Sequence, residues 1–144
     1  MNNILVVGSK GSGKTSYLVS LLDNLHAQGE KLYVVEKNDE LRSQLAKRSI
    51  SLEEELSADT ILVVDEAGYI DCESFSYKQL ILCCSDRTKH EDLAEYKTFC
   101  TEYHLFRFQA ENGFKALDLF DDFELASLVL PKFQHIVRFS PKEA

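Results

Sequence analysis

Four short blocks of apolar residues punctuate the first half of the chain: Ile4–Val7, Leu32–Val35, Ile61–Val64 and Leu80–Cys84. Each is apolar at successive positions, too brief for a helix, and closed by glycine or by polar residues, which predicts strands buried on both faces. Between the first two blocks the pattern changes. Tyr17, Leu18, Leu21, Leu22 and Leu25 recur at spacings of three and four, marking one face of a helix that runs from Lys14 to Gln28 and stops at Gly29. The stretch after Glu36 is polar and helix-prone through Arg48. Ser51 with Glu54 then fits a capping box that opens a short helix, Ser51–Leu56.

Beyond Arg87 the periodicity continues in other forms. Asp92–Glu102 reads as helix, and the alternating aromatic and charged residues of Tyr103–Phe108 read as a fifth strand. Asn112-Gly113 marks a turn. Phe114, Leu117, Phe120 and Phe123 recur every third residue in an acidic segment, which predicts a helix laid on the sheet and ended by Pro131. Phe133–Phe139 is a last strand, and the tail PKEA is expected to be loose. Apolar strands alternating with helical segments predict an α/β fold of three layers, α/β/α, around a mainly parallel sheet. No internal repeat, low-complexity tract or linker interrupts residues 1–144, so one domain is expected.

Composition narrows the classes. A chain of 144 residues, 44% hydrophobic and 28% charged, can bury a core without crosslinks or a structural metal. The net charge of −8, from 24 acidic and 16 basic residues, argues against a surface mainly devoted to gripping a nucleic-acid backbone, although it leaves room for a local basic patch. The four cysteines, Cys72, Cys83, Cys84 and Cys100, have no CxxC spacing and read as reduced, mostly buried thiols. His26, His90, His104 and His135 are scattered, with no pair at metal-ligand spacing. No run approaches the roughly 20 apolar residues of a membrane span. The start, MNNILVVGSKG, lacks a basic region followed by a cleavage site, so a cytoplasmic location is the expectation.

The chemistry is concentrated where the first strand meets the first helix. Gly8 to Thr15, GSKGSGKT, matches G-x-x-x-x-G-K-[ST] at every fixed position. Gly8, Gly11 and Gly13 free the backbone to turn successive amide N–H groups toward phosphate oxygens, and the helix N-terminus adds its dipole. Lys14 can reach the β- and γ-phosphates, and the Thr15 hydroxyl is a hard oxygen donor for magnesium. The candidate phosphate-contacting set is Gly8, Ser9, Lys10, Gly11, Ser12, Gly13, Lys14, Thr15 and Ser16. Asp65 follows four apolar residues at the end of a strand, where open α/β sheets bind ligands, and can hold Mg²⁺ directly or through water. Glu66, next in sequence, can polarise an attacking water.

With this loop and ILVVDE at Ile61–Glu66, the chain resembles the P-loop NTPase superfamily from about Asn3 to Arg87. The glutamate directly after the strand aspartate is similar to the ATPase branch that includes RecA-like, AAA-like and FtsK/HerA-like proteins. That resemblance implies a polar sensor at the tip of the following strand, where Ser85 and Asp86 stand. Lys10 resembles the signature lysine of partition and MinD-like ATPases, but Ser9 separates it from the first glycine. Thr88-Lys89-His90-Glu91 departs from the guanine-reading [NT]-K-x-D by a glutamate, so ATP is expected over GTP. Arg87, Arg107 and Arg138 are candidate arginine fingers.

Three activities fit these residues: a small Mg-dependent ATPase that switches a larger protein partner or a homo-oligomer, with Lys14 and Glu66 catalytic; a nucleotide-binding adaptor without turnover; and a kinase of a small acceptor. A DNA-translocating motor is a form of the first, and the acidic charge does not support it.

Overall fold

The computed structural model describes residues 1–65, 74–108, 119–120 and 130–140. Its elements run β1 (Ile4–Gly8), α1 (Lys14–Ala27), β2 (Lys31–Glu36), α2 (Glu40–Lys47), β3 (Thr60–Asp65), β4 (Gln79–Ser85), α3 (His90–Phe99), β5 (Glu102–Phe106) and β6 (His135–Phe139). The strands form one sheet in the order β2-β3-β4-β1-β5-β6. The first five are mutually parallel, and β6 joins the β5 edge antiparallel.

Alternate side chains of each central strand enter two separate cores, because successive residues of a strand point to opposite faces. On one face Ile4, Val6, Ile61, Val63 and Ile81 pack with Leu18, Leu22 and Leu25 of α1 and with Leu41 and Leu45 of α2. On the other, Leu5, Val7, Leu62, Leu80 and Leu82 pack with Leu93 of α3 and with Leu119 and Phe120. Burial of each such side chain contributes about 1.5–3 kcal/mol. The expected three-layer arrangement is therefore observed. No helix among the described residues is long and apolar enough to cross a membrane.

Local features depart from the sequence expectation: the helix expected over Asp92–Glu102 runs His90–Phe99, with Glu102 already in β5, and the strand expected over Tyr103–Phe108 ends at Phe106. Residues 51–56 are not helical. The Glu53 N–H donates to the Leu32 carbonyl at 2.7 Å on the outer edge of β2, and the Ser51 hydroxyl lies 3.4 Å from His26 Nε2. An edge strand with open carbonyls competes for the same backbone donors that a helix would use. Phe133 lies in a turn ahead of β6 rather than in the strand. The expected turn at Asn112-Gly113, most of the Phe114–Phe123 helix, Cys72 and the PKEA tail fall outside the described residues.

Cys83, Cys84 and Cys100 are buried. Burial, reinforced by the neighbouring Asp65 carboxylate, pushes the Cys83 thiol well up, so it stays protonated and inert.

Candidate functional site

The parallel strands deliver their C-terminal ends to one edge of the sheet, and a cleft of about 920 Å³ opens there. Its floor is the loop between β1 and α1. Gly11 and Gly13 have φ of 78° and 102°, a region L-residues avoid. A Cβ on Gly13 would lie 2.6 Å from Phe133 Cδ1 and 2.8 Å from Phe133 Cα, and one on Gly8 would lie 2.5 Å from Phe106 Cβ. Glycine is thus required by close packing at 8 and by both close packing and backbone conformation at 13.

The loop is held from behind. The Ser9 N–H donates to the Arg107 carbonyl at 2.8 Å, the Ser12 N–H to the Ser9 carbonyl at 3.1 Å, and the Asp86 N–H to the Gly8 carbonyl at 3.1 Å. Gly8, Ser9 and Ser12 are buried beneath the lining, while Lys10, Gly11, Gly13, Lys14, Thr15 and Ser16 form the cleft wall. The Ser12 hydroxyl is fully buried and has no hydrogen-bond partner among the described residues. Helix α1 begins with left-handed Gly13, with no side-chain cap and no acidic residue in its first turn. The leading N–H groups of a helix need an acceptor, and an anion is the natural one where no side chain fills that role. At its other end α1 is closed conventionally: Gly29 has φ 88°, and the Glu30 N–H reaches back to the Leu25 carbonyl at 3.0 Å. Helix α2 differs, because the Glu36 carboxylate accepts from the N–H groups of Leu41 and Arg42, both at 2.9 Å.

Lys14 is 7% exposed, and its ammonium donates to the Cys84 carbonyl at 3.2 Å. That bond holds the charge between the loop and the end of β4. Asp65, at the tip of β3, and Ser85, at the tip of β4, line the same cleft as Lys14 and Thr15. Because β4 lies between β1 and β3, its tip stands between the phosphate-loop strand and the strand carrying Asp65. Ser85 Oγ accepts from the Arg87 N–H at 2.9 Å, which fixes the turn that brings Arg87 to the cleft. Glu66 lies outside the described residues.

Whether the cleft suits a magnesium-bound polyphosphate can be judged from its donors. Thr15 and Asp65 supply hard oxygens of the kind Mg²⁺ takes one or two at a time, with water and phosphate completing its shell. Among the described residues no group of three or more His, Cys, Asp or Glu side chains could hold a metal unaided. The set therefore fits an ion that arrives with its phosphates better than a resident metal. Electrostatics agree: among the described residues lining the cleft, Lys10, Lys14, Lys37, Arg87 and Lys132 stand with Glu36, Glu40, Asp65 and Asp86, which puts five cations in a cleft of a chain with net charge −8.

Sequence reasoning did not find the flanking walls. The segment after β2, with Glu36, Lys37, Asn38 and Glu40, closes one end of the cleft, and Lys132 with Phe133 closes another. The first lies at a strand tip and was accessible in principle from the α/β rule. Lys132 and Phe133 are 117 or more residues from the phosphate loop, and no local pattern marks them.

No protein-family model matches the chain, and no curated protein matches its sequence. Among solved structures, the genome packaging NTPase B204 from Sulfolobus turreted icosahedral virus 2, in complex with AMP, is similar over 99% of this chain and 94% of its own, with a TM-score of 0.61 and 14% identity. The cytoplasmic domain of the Type VII secretion ATPase EccC from Thermomonospora curvata is similar over 78% of this chain, with a TM-score of 0.51 and 12% identity, and the likeness spans 20% of the EccC chain. At these identities the likeness is one of fold: the chain has the mixed α/β architecture, with a six-stranded and mostly parallel sheet, of P-loop NTPases.

Proposed function

We propose that the chain binds a nucleoside triphosphate with magnesium at Gly8–Ser16 and hydrolyses ATP, switching a protein partner or a self-assembled state. One observation carries this reading: Lys14, Thr15, Asp65 and Ser85, far apart in sequence, line a single cleft whose floor is an uncapped helix N-terminus. The fold shared with a genome packaging NTPase and a secretion ATPase supports it.

In this reading the loop amides and the α1 N-terminus bind the β-phosphate, and Lys14 spans the β- and γ-oxygens. Thr15 and Asp65 would hold magnesium, which would supply positive charge to offset that of the β- and γ-phosphates. Glu66, one residue past the tip of β3, accepts a proton from the attacking water, and Ser85 orients it by hydrogen bonding. Arg87 at the cleft wall stabilises charge on the transferred phosphoryl group.

Phosphate release measured with Mg-ATP tests this. Glu66→Gln is expected to slow release by about 10²–10⁴-fold while leaving ATP binding intact, and equal rates in the two proteins would remove Glu66 from the mechanism. Tight nucleotide binding with no turnover in the wild type would select the adaptor instead. ADP formation seen only with an added small acceptor would select phosphoryl transfer. Stimulation by double-stranded DNA would assign the partner class.

A further inference from the structure

We propose that Phe133 is the platform on which the nucleobase stacks, with Lys132 beside it; the proposal rests on the phosphate-site reading above. Among the described residues lining the cleft, Phe133 is the sole aromatic side chain, and it is 59% exposed. The ring packs on Gly13 on one side and keeps more than half of its surface open to the cleft.

The backbone around it is built to present it. Pro131 to Gln134 form a tight turn closed by the Gln134 N–H to the Pro131 carbonyl at 3.2 Å. Phe133 is the third residue of that turn and has φ 70°, a position normally given to glycine or asparagine. The conformation is pinned to the phosphate loop, because the Phe133 N–H donates to the Ser12 carbonyl at 2.8 Å and its side chain packs on Gly13. A bulky residue in a strained backbone position, locked to the loop that would hold the phosphates, is the kind of outlier that a ligand contact accounts for. The Lys132 ammonium lies 4.9 Å from the ring centroid and adds a charge that strengthens contacts to the ring.

Sheet order sets the direction. Asp65 lies on β3, to one side of β1, and Phe133 leads into β6, to the other side beyond β5. A triphosphate lying along the loop with its metal-bearing γ end toward Asp65 directs its ribose and base toward β5 and β6. Phe133 occupies that side, already in contact with Gly13. Stacking reads the face of a base rather than its edge, so the site would favour nucleotides over bare polyphosphate without distinguishing strongly among purines.

The test compares Mg-ATP with Mg-tripolyphosphate, which keeps the phosphates and lacks the base, by titration calorimetry. Phe133→Gly is the informative variant, because glycine relaxes the φ of 70° and leaves the fold at least as stable, checked by its melting temperature. ATP is expected to bind about tenfold more weakly to Phe133→Gly, and tripolyphosphate within about twofold of wild type. The chain has no tryptophan, so Phe133→Trp supplies a single reporter whose emission is expected to change with ATP and not with tripolyphosphate. Unchanged ATP affinity in Phe133→Gly, or an equal loss for both ligands, overturns the proposal while leaving the phosphate site standing. Binding of neither ligand by the wild type overturns the phosphate-site reading, and the proposal with it.

Discussion

At the scale of single residues, the loop shows how two glycines can be needed for different reasons. Gly11 has φ 78° with nothing within 4 Å of an added Cβ, so Gly11→Ala meets only the backbone penalty, about 1–2 kcal/mol. Gly13 has φ 102° and would drive its Cβ into both backbone and side chain of Phe133, so Gly13→Ala is expected to cost clearly more, about 2–4 kcal/mol. Urea midpoints of the two variants give the comparison, and equal losses would show that the Phe133 contact is soft. The signature Gly8–Thr15 was legible in the sequence because each fixed position answers to a chemical need of phosphate binding. Phe133 was not, since an exposed aromatic residue becomes informative only when its neighbours in space are known.

Among elements, the seam of α1, β5 and β6 is a half-buried aromatic cluster that couples stability to pH. Tyr17 Oη lies 2.9 Å from His104 Nδ1, and His104 Nε2 lies 2.6 Å from Glu102 Oε2. Burial, then the Glu102 charge, pushes Tyr17 up to about 12, so it remains a neutral hydroxyl. His135 stacks on Phe106 with centroids 4.7 Å apart and also faces Tyr17 and His104. Burial, then the His104 charge, holds His135 below its ordinary value of 6.5. Below pH 6.5 the unfolded chain takes up a proton that folded His135 refuses, so this group's contribution falls as pH drops from 6.5 to its lower folded value and then levels off. His135→Phe keeps the stack and removes the titration. Its melting temperature is expected to fall less between pH 7.5 and pH 5 than that of the wild type, and an equal fall would show that other groups dominate. The elements themselves were largely readable, since strands apolar on both faces and the three-four spacing of α1 are direct imprints of burial. The 51–56 segment was misread because the open edge of β2, which claims the Glu53 N–H, belongs to another part of the chain.

For the whole molecule, the proposed site exists only in the folded chain, so Mg-ATP bound there should stabilise the folded state. At a free concentration a hundred times the dissociation constant the gain is about 2.7 kcal/mol, or a rise in Tm of about 6–10 °C for a domain of this size. Chelation of magnesium by EDTA is expected to remove most of that rise, measured by thermal melting with ATP held constant; a rise indifferent to EDTA would separate Thr15 and Asp65 from the metal. Periodicity along the chain determined the layers, and eight residues from the end of β1 into the start of α1 determined the proposed anion site, because both are local properties of consecutive residues. Tertiary structure alone decided that β4 lies between β1 and β3, that Arg87 reaches the cleft, and that Lys132 and Phe133 stand beside Gly13. Strand order and the packing of a distant turn depend on contacts between segments far apart in sequence, and the identity of either segment by itself does not encode them.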